Sequence, residues 1–237
     1  TKKMTAYTKR LQKVTAVLCT TALLAGCAAG TSDNTEPAAT TAQVKTITIE
    51  PTAAYQTMNG FGASACWWSQ EVGNWENAKD ILSLLYDKNS GIGLNIYRYN
   101  LGAGSKDDAT ITDPDRRAEA FIDKDGSYHW ERDAAAQNAL ALAKSMNKDL
   151  RVTLFSNSAP VFYTANGKAY CDYLPDDENY VTNLEPERYA DFAKYSIACA
   201  KHFTEAGYRV TGLSPINEPE WSWRGYEDGT AQQEGCY

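Results

Sequence analysis

Histidine is scarce in this 237-residue sequence, which holds only His129 and His202. A zinc site or a Ser-His-Asp triad therefore finds little support, because both rely on imidazole at a defined place. Cysteine does not fill the gap, since no pair among the six has metal-ligand spacing. Positive charge is also short: 23 Lys and Arg stand against 30 Asp and Glu, a net charge of −7, so nucleic acid is not an expected partner. The apolar run from Val14 to Ala25 is too short to span a bilayer as a helix. A Gly-rich phosphate loop is missing as well, because Gly60-Phe61-Gly62-Ala63-Ser64 lacks the rest of the dinucleotide fingerprint.

What the N-terminus does carry is an address. Lys9, Arg10 and Lys13 precede the apolar run, which ends in Leu24-Ala25-Gly26-Cys27. This order reads as an export signal, and the small residues before Cys27 resemble a bacterial lipoprotein cleavage box in which the cysteine is lipidated. Residues 1–26 are expected to be the signal peptide and 27–43 a Thr-, Ala- and Ser-rich flexible tether. The expected location is extracellular or at the cell surface, with the lipid on Cys27 as the only membrane contact. Removing residues 1–26 leaves 18 basic against 30 acidic residues, a net of −12. Cys66, Cys171, Cys199 and Cys236 then remain, and their three possible pairings cannot be told apart from sequence.

Aromatic residues are plentiful at 11%, with 6 Trp and 15 Tyr. Val44 to Glu50 alternates and predicts a strand, assigned with residues 44–57 to a side β-domain. From Met58 onward a theme repeats: strand-like run, loop rich in Gly, Asn, Ser and aromatics, amphipathic helix. The strands are expected at Met58–Ser64, Gly93–Tyr99, Leu150–Phe155 and Val210–Ile216. The helices are expected at Trp75–Asn89, after an Asp133 cap with Ala136, Leu140 and Ala143 inward, and at Pro186–Ala206 with Tyr189, Phe192, Ala193, Cys199 and Phe203 at helical spacing. Such repeats argue for an α/β protein with a parallel sheet. Polar and aromatic clusters at the strand ends favour a (β/α)8 TIM-barrel over a doubly wound sheet. A closed barrel needs eight strands, so residues 58–237 are expected to be its N-terminal half, truncated after the fourth strand, and marginally stable alone because its edge strands are open.

The segment Ser214-Pro215-Ile216-Asn217-Glu218-Pro219-Glu220-Trp221 carries the chemistry. An apolar strand delivers a carboxylate beside an amide and indole rings. A partly desolvated pocket raises a carboxyl pKa, as a general acid needs near neutral pH. Asn217 can donate to a sugar hydroxyl, and Trp221 and Trp223 offer flat faces to a pyranose. Together with Asn59-Gly60-Phe61-Gly62-Ala63-Ser64 and Trp67-Trp68, Tyr97-Arg98-Tyr99-Asn100-Leu101-Gly102, and Phe155-Ser156-Asn157-Ser158-Ala159-Pro160, this segment resembles glycoside hydrolase family 30. The resemblance runs from Met58 to Tyr237, and Gln233-Glu234-Gly235-Cys236 looks like the endo-β-1,6-galactanase branch.

The resemblance implies that Glu218 is the general acid and base of a retaining glycosidase and that Asn217 contacts the substrate. It places Arg98 on the barrel floor, orienting the nucleophile or serving in a structural ion pair. Trp67, Trp68, Asn157 and Trp221 join as substrate-binding candidates, while Cys66 reads as packing because no His lies nearby to activate it. The partner glutamate of the retaining mechanism would lie beyond Tyr237, so the chain alone is expected to be inactive; Glu220, Glu227 and Glu234 share a loop with Glu218 and are not assigned. The expected substrate is a β-linked polysaccharide, first of all β-1,6-galactan, with no cofactor and no metal. A xylanase-like or glucosylceramidase-like specificity, or a non-catalytic surface glycan-binding lipoprotein, are the alternatives.

Overall fold

The computed structural model describes residues 47–174 and 182–236. The expected signal, the tether and Cys27 lie outside them. The chain divides into two units, 1–55 and 56–237. Of the first, the described residues 47–50 form no strand, and Ile47 and Ile49 are both 82% exposed. The alternation there marks a segment with an apolar edge and no described strand beside it.

In the second unit four parallel strands run in sequence order: β1 (Gly62–Ser64), β2 (Ile96–Asn100), β3 (Arg151–Phe155) and β4 (Arg209–Ser214). Sequential order is the topology of a barrel wall, whereas a doubly wound sheet reverses direction at a switch point. The helices are α1 (Ser69–Val72), α2 (Ala78–Tyr86), α3 (Ala134–Met146) and α4 (Tyr189–Glu205). The four-residue α1 has no counterpart among the expected helices. β1, β3, α2 and α4 lie inside their expected ranges, whereas β2 runs one residue further, to Asn100, and β4 begins one residue earlier, at Arg209.

Period-two alternation gives the sheet two chemically different faces. Tyr97, Tyr99, Val152 and Leu154, all at most 1% exposed, pack with Leu82, Tyr86, Leu140 and Phe203 from the helices. Ser64, Arg98 and Phe155 belong to the opposite face and line a cavity. The helix side of β1 to β3 is thus a sealed apolar layer. Burying one such Leu or Val stabilises by about 1.5–3 kcal/mol.

The β4 side differs. Leu213, Ile216, Tyr189 and Ile197 are 38%, 44%, 50% and 51% exposed. Tyr189 and Ala193 share the helical spacing but are exposed, while Tyr195 and Ser196 take buried positions. Phe192, Cys199 and Phe203 are buried, as their helical spacing implies.

Asp133 also departs from its expected role. It precedes α3, but in the left-handed conformation (φ 53°) and without a side-chain cap. Its carboxylate instead accepts a hydrogen bond of 2.6 Å from the Tyr99 hydroxyl. At 1% exposure the Tyr99 phenol is out of reach of water and gains from an acceptor inside the protein, whereas a helix N-terminus can use water. Burial pushes the Asp133 carboxyl up to about 7, against the Tyr99 hydrogen bond, which lowers it.

Candidate active site

The C-terminal ends of the strands open into a cavity of about 560 Å³. Each wall comes from a different strand or the loop behind it: Ser64 and Trp67 from β1, Arg98 from β2, Phe155 and Asn157 from β3, Asn217 and Glu218 from β4. The loop after β4 closes the circle with Trp221, Trp223 and Gln233. This loop is tied down at several points, the first being Arg224, which bridges Cys171. Ala231 bridges Ile111 in the loop after β2, and Gly235 bridges Tyr170 in the loop after β3.

Arg98 is the organiser of the floor. Its guanidinium lies 3.3 Å above the Phe155 ring centre and donates from Nη2 to Asn217 Oδ1 at 2.6 Å. Burial lowers its pKa from the ordinary value, and the nearby Cys66 and Glu218 oppose that shift. With its carbonyl taken by Arg98, Asn217 keeps its amide N–H groups as donors for a ligand. The Asn-Glu backbone is fixed from the other side by Trp223, whose indole donates to the carbonyls of Asn217 (3.1 Å) and Glu218 (3.2 Å). Glu218 sits at φ 47°, a left-handed geometry that costs a non-glycine residue about 1 kcal/mol or more and persists only where neighbours enforce it. The Trp223 clamp and the 2.9 Å bond from the Trp221 N–H to the Glu218 carbonyl supply that enforcement.

The candidates divide clearly by placement. Glu218, Asn217, Arg98, Trp67, Asn157 and Trp221 all line the one cavity. Trp68 does not. Its indole donates to the Ser64 carbonyl at 2.9 Å and its ring lies 6.4 Å from Tyr97, so it is packed into the core. Glu218 is on the wall as expected, but exposed to solvent where a sheltered carboxyl was expected. Among the described residues it is the one carboxylate lining the cavity.

Two groups gained meaning only from the structure. Phe155 supplies the ring beneath Arg98, a role no spacing rule indicates. Glu234 is fully buried beside the cavity wall, with its carboxylate receiving the Ser105 hydroxyl (2.6 Å) and the Ala103 N–H (3.1 Å). Burial raises its carboxyl to about 7 against these hydrogen bonds, which lower it. Cys66 borders the cavity, but burial and then the charge of Glu234 push its thiol far above the ordinary value, the opposite of an activated nucleophile.

Comparison with known proteins agrees with this architecture. The family model for O-glycosyl hydrolase family 30 matches residues 44–236. An endo-beta-1,6-galactanase from Hypocrea rufa is 31% identical over 218 residues, covering 81% of this chain and 43% of the relative. The crystal structure of a conserved exported protein from Bacteroides fragilis superimposes with a TM-score of 0.69 at 29% identity, over 80% of this chain and 39% of that one. The catalytic domain of a family 30 xylanase C from Talaromyces cellulolyticus shares the fold, with a TM-score of 0.51 at 20% identity over 79% and 41% of the two chains. The chain thus spans less than half the length of these relatives.

Proposed function

The chain belongs to O-glycosyl hydrolase family 30, and from that premise we propose that it forms the acid/base side of a retaining glycosidase that cleaves a β-linked polysaccharide, first of all β-1,6-galactan. The observation that carries this reading is the joint placement of Glu218 and an Arg98-held Asn217 in a cavity walled by Trp67, Trp221 and Trp223. Glu218 protonates the departing glycosidic oxygen and later deprotonates the attacking water. Asn217 donates to a hydroxyl beside the reacting carbon, and the indoles stack on the sugar C–H faces.

Retention needs a second carboxylate about 5–5.5 Å from the first. We assign it to the part of the relatives' length that this chain does not span, which makes the chain inactive by itself. Glu234 is a poor substitute because its oxygens are consumed by Ser105 and Ala103. The galactan specificity is supported by the activity named for the Hypocrea rufa relative. Export and anchoring at Cys27 are part of the same reading, supported by the basic, apolar and small-residue order of residues 9–27. Replacing Cys27 by Ser should release the protein from membranes; continued anchoring with normal processing would remove the lipid from the reading.

The test is an assay of this chain and of the longer gene product on β-1,6-galactan and on xylan. Galactan cleavage with retained anomeric configuration, by the longer product alone, is expected. Turnover by the chain itself would overturn the assignment of the second carboxylate. A folded longer product that binds galactan but never cleaves it would favour a glycan-binding role.

A further inference from the structure

The segment Gln233-Glu234-Gly235-Cys236 is only partly explained by the cavity, since Gln233 lines it and the next three residues do something else. Glu234 anchors the segment to Ala103 and Ser105 in the loop after β2. Gly235 lets Trp223 lie directly on the backbone, because a Cβ there would stand 2.0 Å from the indole ring. Gly235 also donates to the Ala169 carbonyl at 2.7 Å and bridges Tyr170 in parallel.

The next residue on each side of that bridge is a cysteine. Beyond that bridge the backbones part, Cys171 pairing with Arg224 and the Cys236 N–H donating to the Asn157 carbonyl at 2.8 Å, so it is the side chains that meet. Cys171 and Cys236 are 4% and 3% exposed. Their side chains are hydrogen-bonded to each other, and the Cys236 sulfur also meets Ser158 Oγ (3.1 Å) and Asn183 Nδ2 (3.4 Å). Cys66 and Cys199 are engaged elsewhere, with Asn157 and Tyr195. Both Cys171 and Cys236 are thiols in the structure.

We propose that Cys171 and Cys236 are the disulfide pair of this chain, joined on export to clasp the loop after β3 to the loop after β4. The Cys236 thiolate attacks one sulfur of a small-molecule or protein disulfide oxidant and expels its first thiolate. The Cys171 thiolate then attacks Cys236 in that mixed disulfide and expels the second. One S–S bond forms, two protons are released, and the electron pair reduces the oxidant. The clasp reaches the sugar cavity through backbone bonds: the Cys171 N–H donates to the Trp223 carbonyl (2.9 Å) and its carbonyl accepts from Gly225 N–H (2.7 Å). Trp223 in turn holds the Asn217 and Glu218 carbonyls. Oxidation therefore stiffens the wall behind Glu218.

Peptide mapping of the full chain, folded in a glutathione redox buffer and alkylated under denaturing conditions without reductant, decides the pairing. Trypsin should yield the 169–188 peptide joined to the peptide beginning at Gly225, two hydrogens lighter than their sum, with Cys66 and Cys199 alkylated. Alkylation of both Cys171 and Cys236, or linkage of either to Cys66 or Cys199, would overturn the pairing. As a second arm, Cys236→Ser should speed trypsin cleavage after Arg224 on the order of tenfold, because a cross-link suppresses local opening. An unchanged cleavage rate in the oxidised proteins would contradict a clasp.

Discussion

Two carboxylates beside the cavity, Glu218 and Glu234, occupy opposite surroundings. Glu234 is fully buried, with its carboxyl raised to about 7, and is wrapped in hydrogen bonds from a neighbouring loop. Glu218 is exposed, but it faces the open space that a substrate would fill and is held in a left-handed backbone by two tryptophans. A ranking by titration alone would select Glu234. The proposed role goes to Glu218 on placement, because a general acid must first reach the proton's destination. The space beside Glu218 is open to a ligand, whereas the Glu234 carboxylate is enclosed by protein.

The contrast yields opposite expectations for two substitutions. In the longer gene product, Glu218→Gln should lower kcat on β-1,6-galactan by about 10²–10⁴ while leaving urea stability within about 0.5 kcal/mol, as for other exposed positions. If Glu218→Gln unfolds the protein instead, its role is structural and the contrast fails.

Glu234→Gln should act on stability through pH. The folded carboxyl titrates near 7 and the unfolded one near 4.5. Between those values the folded chain holds a proton that the unfolded chain has released, so stability falls as pH rises through the window and levels off above it. The shift corresponds to roughly 3 kcal/mol between pH 4 and pH 8, and Asp133, raised from 3.8 to about 7, adds a slope of the same sign. Urea unfolding of the chain at several pH values should show Glu234→Gln reducing this slope and Asp133→Asn removing much of the remainder. A slope unaffected by Glu234→Gln would mean that Glu234 is ionised in the folded protein.

Trp67 and Trp68 sharpen the comparison at smaller scale. Trp68→Ala should cost about 2–3 kcal/mol of stability, since a core ring and the Ser64 hydrogen bond are lost. Trp67→Ala should spare stability more and weaken galactan affinity by about 1 kcal/mol, read by calorimetric titration. Equal effects of both on stability and affinity would erase the distinction between core and cavity.

Much of the fold could be read from periodicity, because the stripes at Leu82, Leu140, Phe192 and Phe203 and the strand cores at Tyr97 to Tyr99 and Val152 to Leu154 obey local geometry. The misreadings arise where tertiary partners override it. Asp133 serves the buried Tyr99 hydroxyl instead of capping α3. Trp68 and Trp67 are neighbours in sequence, and only the chain's path after β1 decides which reaches the cavity. Tyr189 and Ala193 satisfy the helical repeat but look away from the sealed side. The candidate site was legible as motifs at strand ends, since parallel strands necessarily bring those ends together. Phe155 beneath Arg98, and the anchoring of Glu234 across more than a hundred residues of sequence, depend on contacts that no local pattern encodes.

Leaving-group dependence probes the role of Glu218 most directly. In the longer gene product, Glu218→Ala should lose far more activity on β-1,6-galactan, whose leaving oxygen needs a proton, than on a dinitrophenyl β-galactoside, whose leaving group departs without one. Losses of equal size on both substrates, or no loss on galactan, would contradict the assignment of Glu218 as the proton donor.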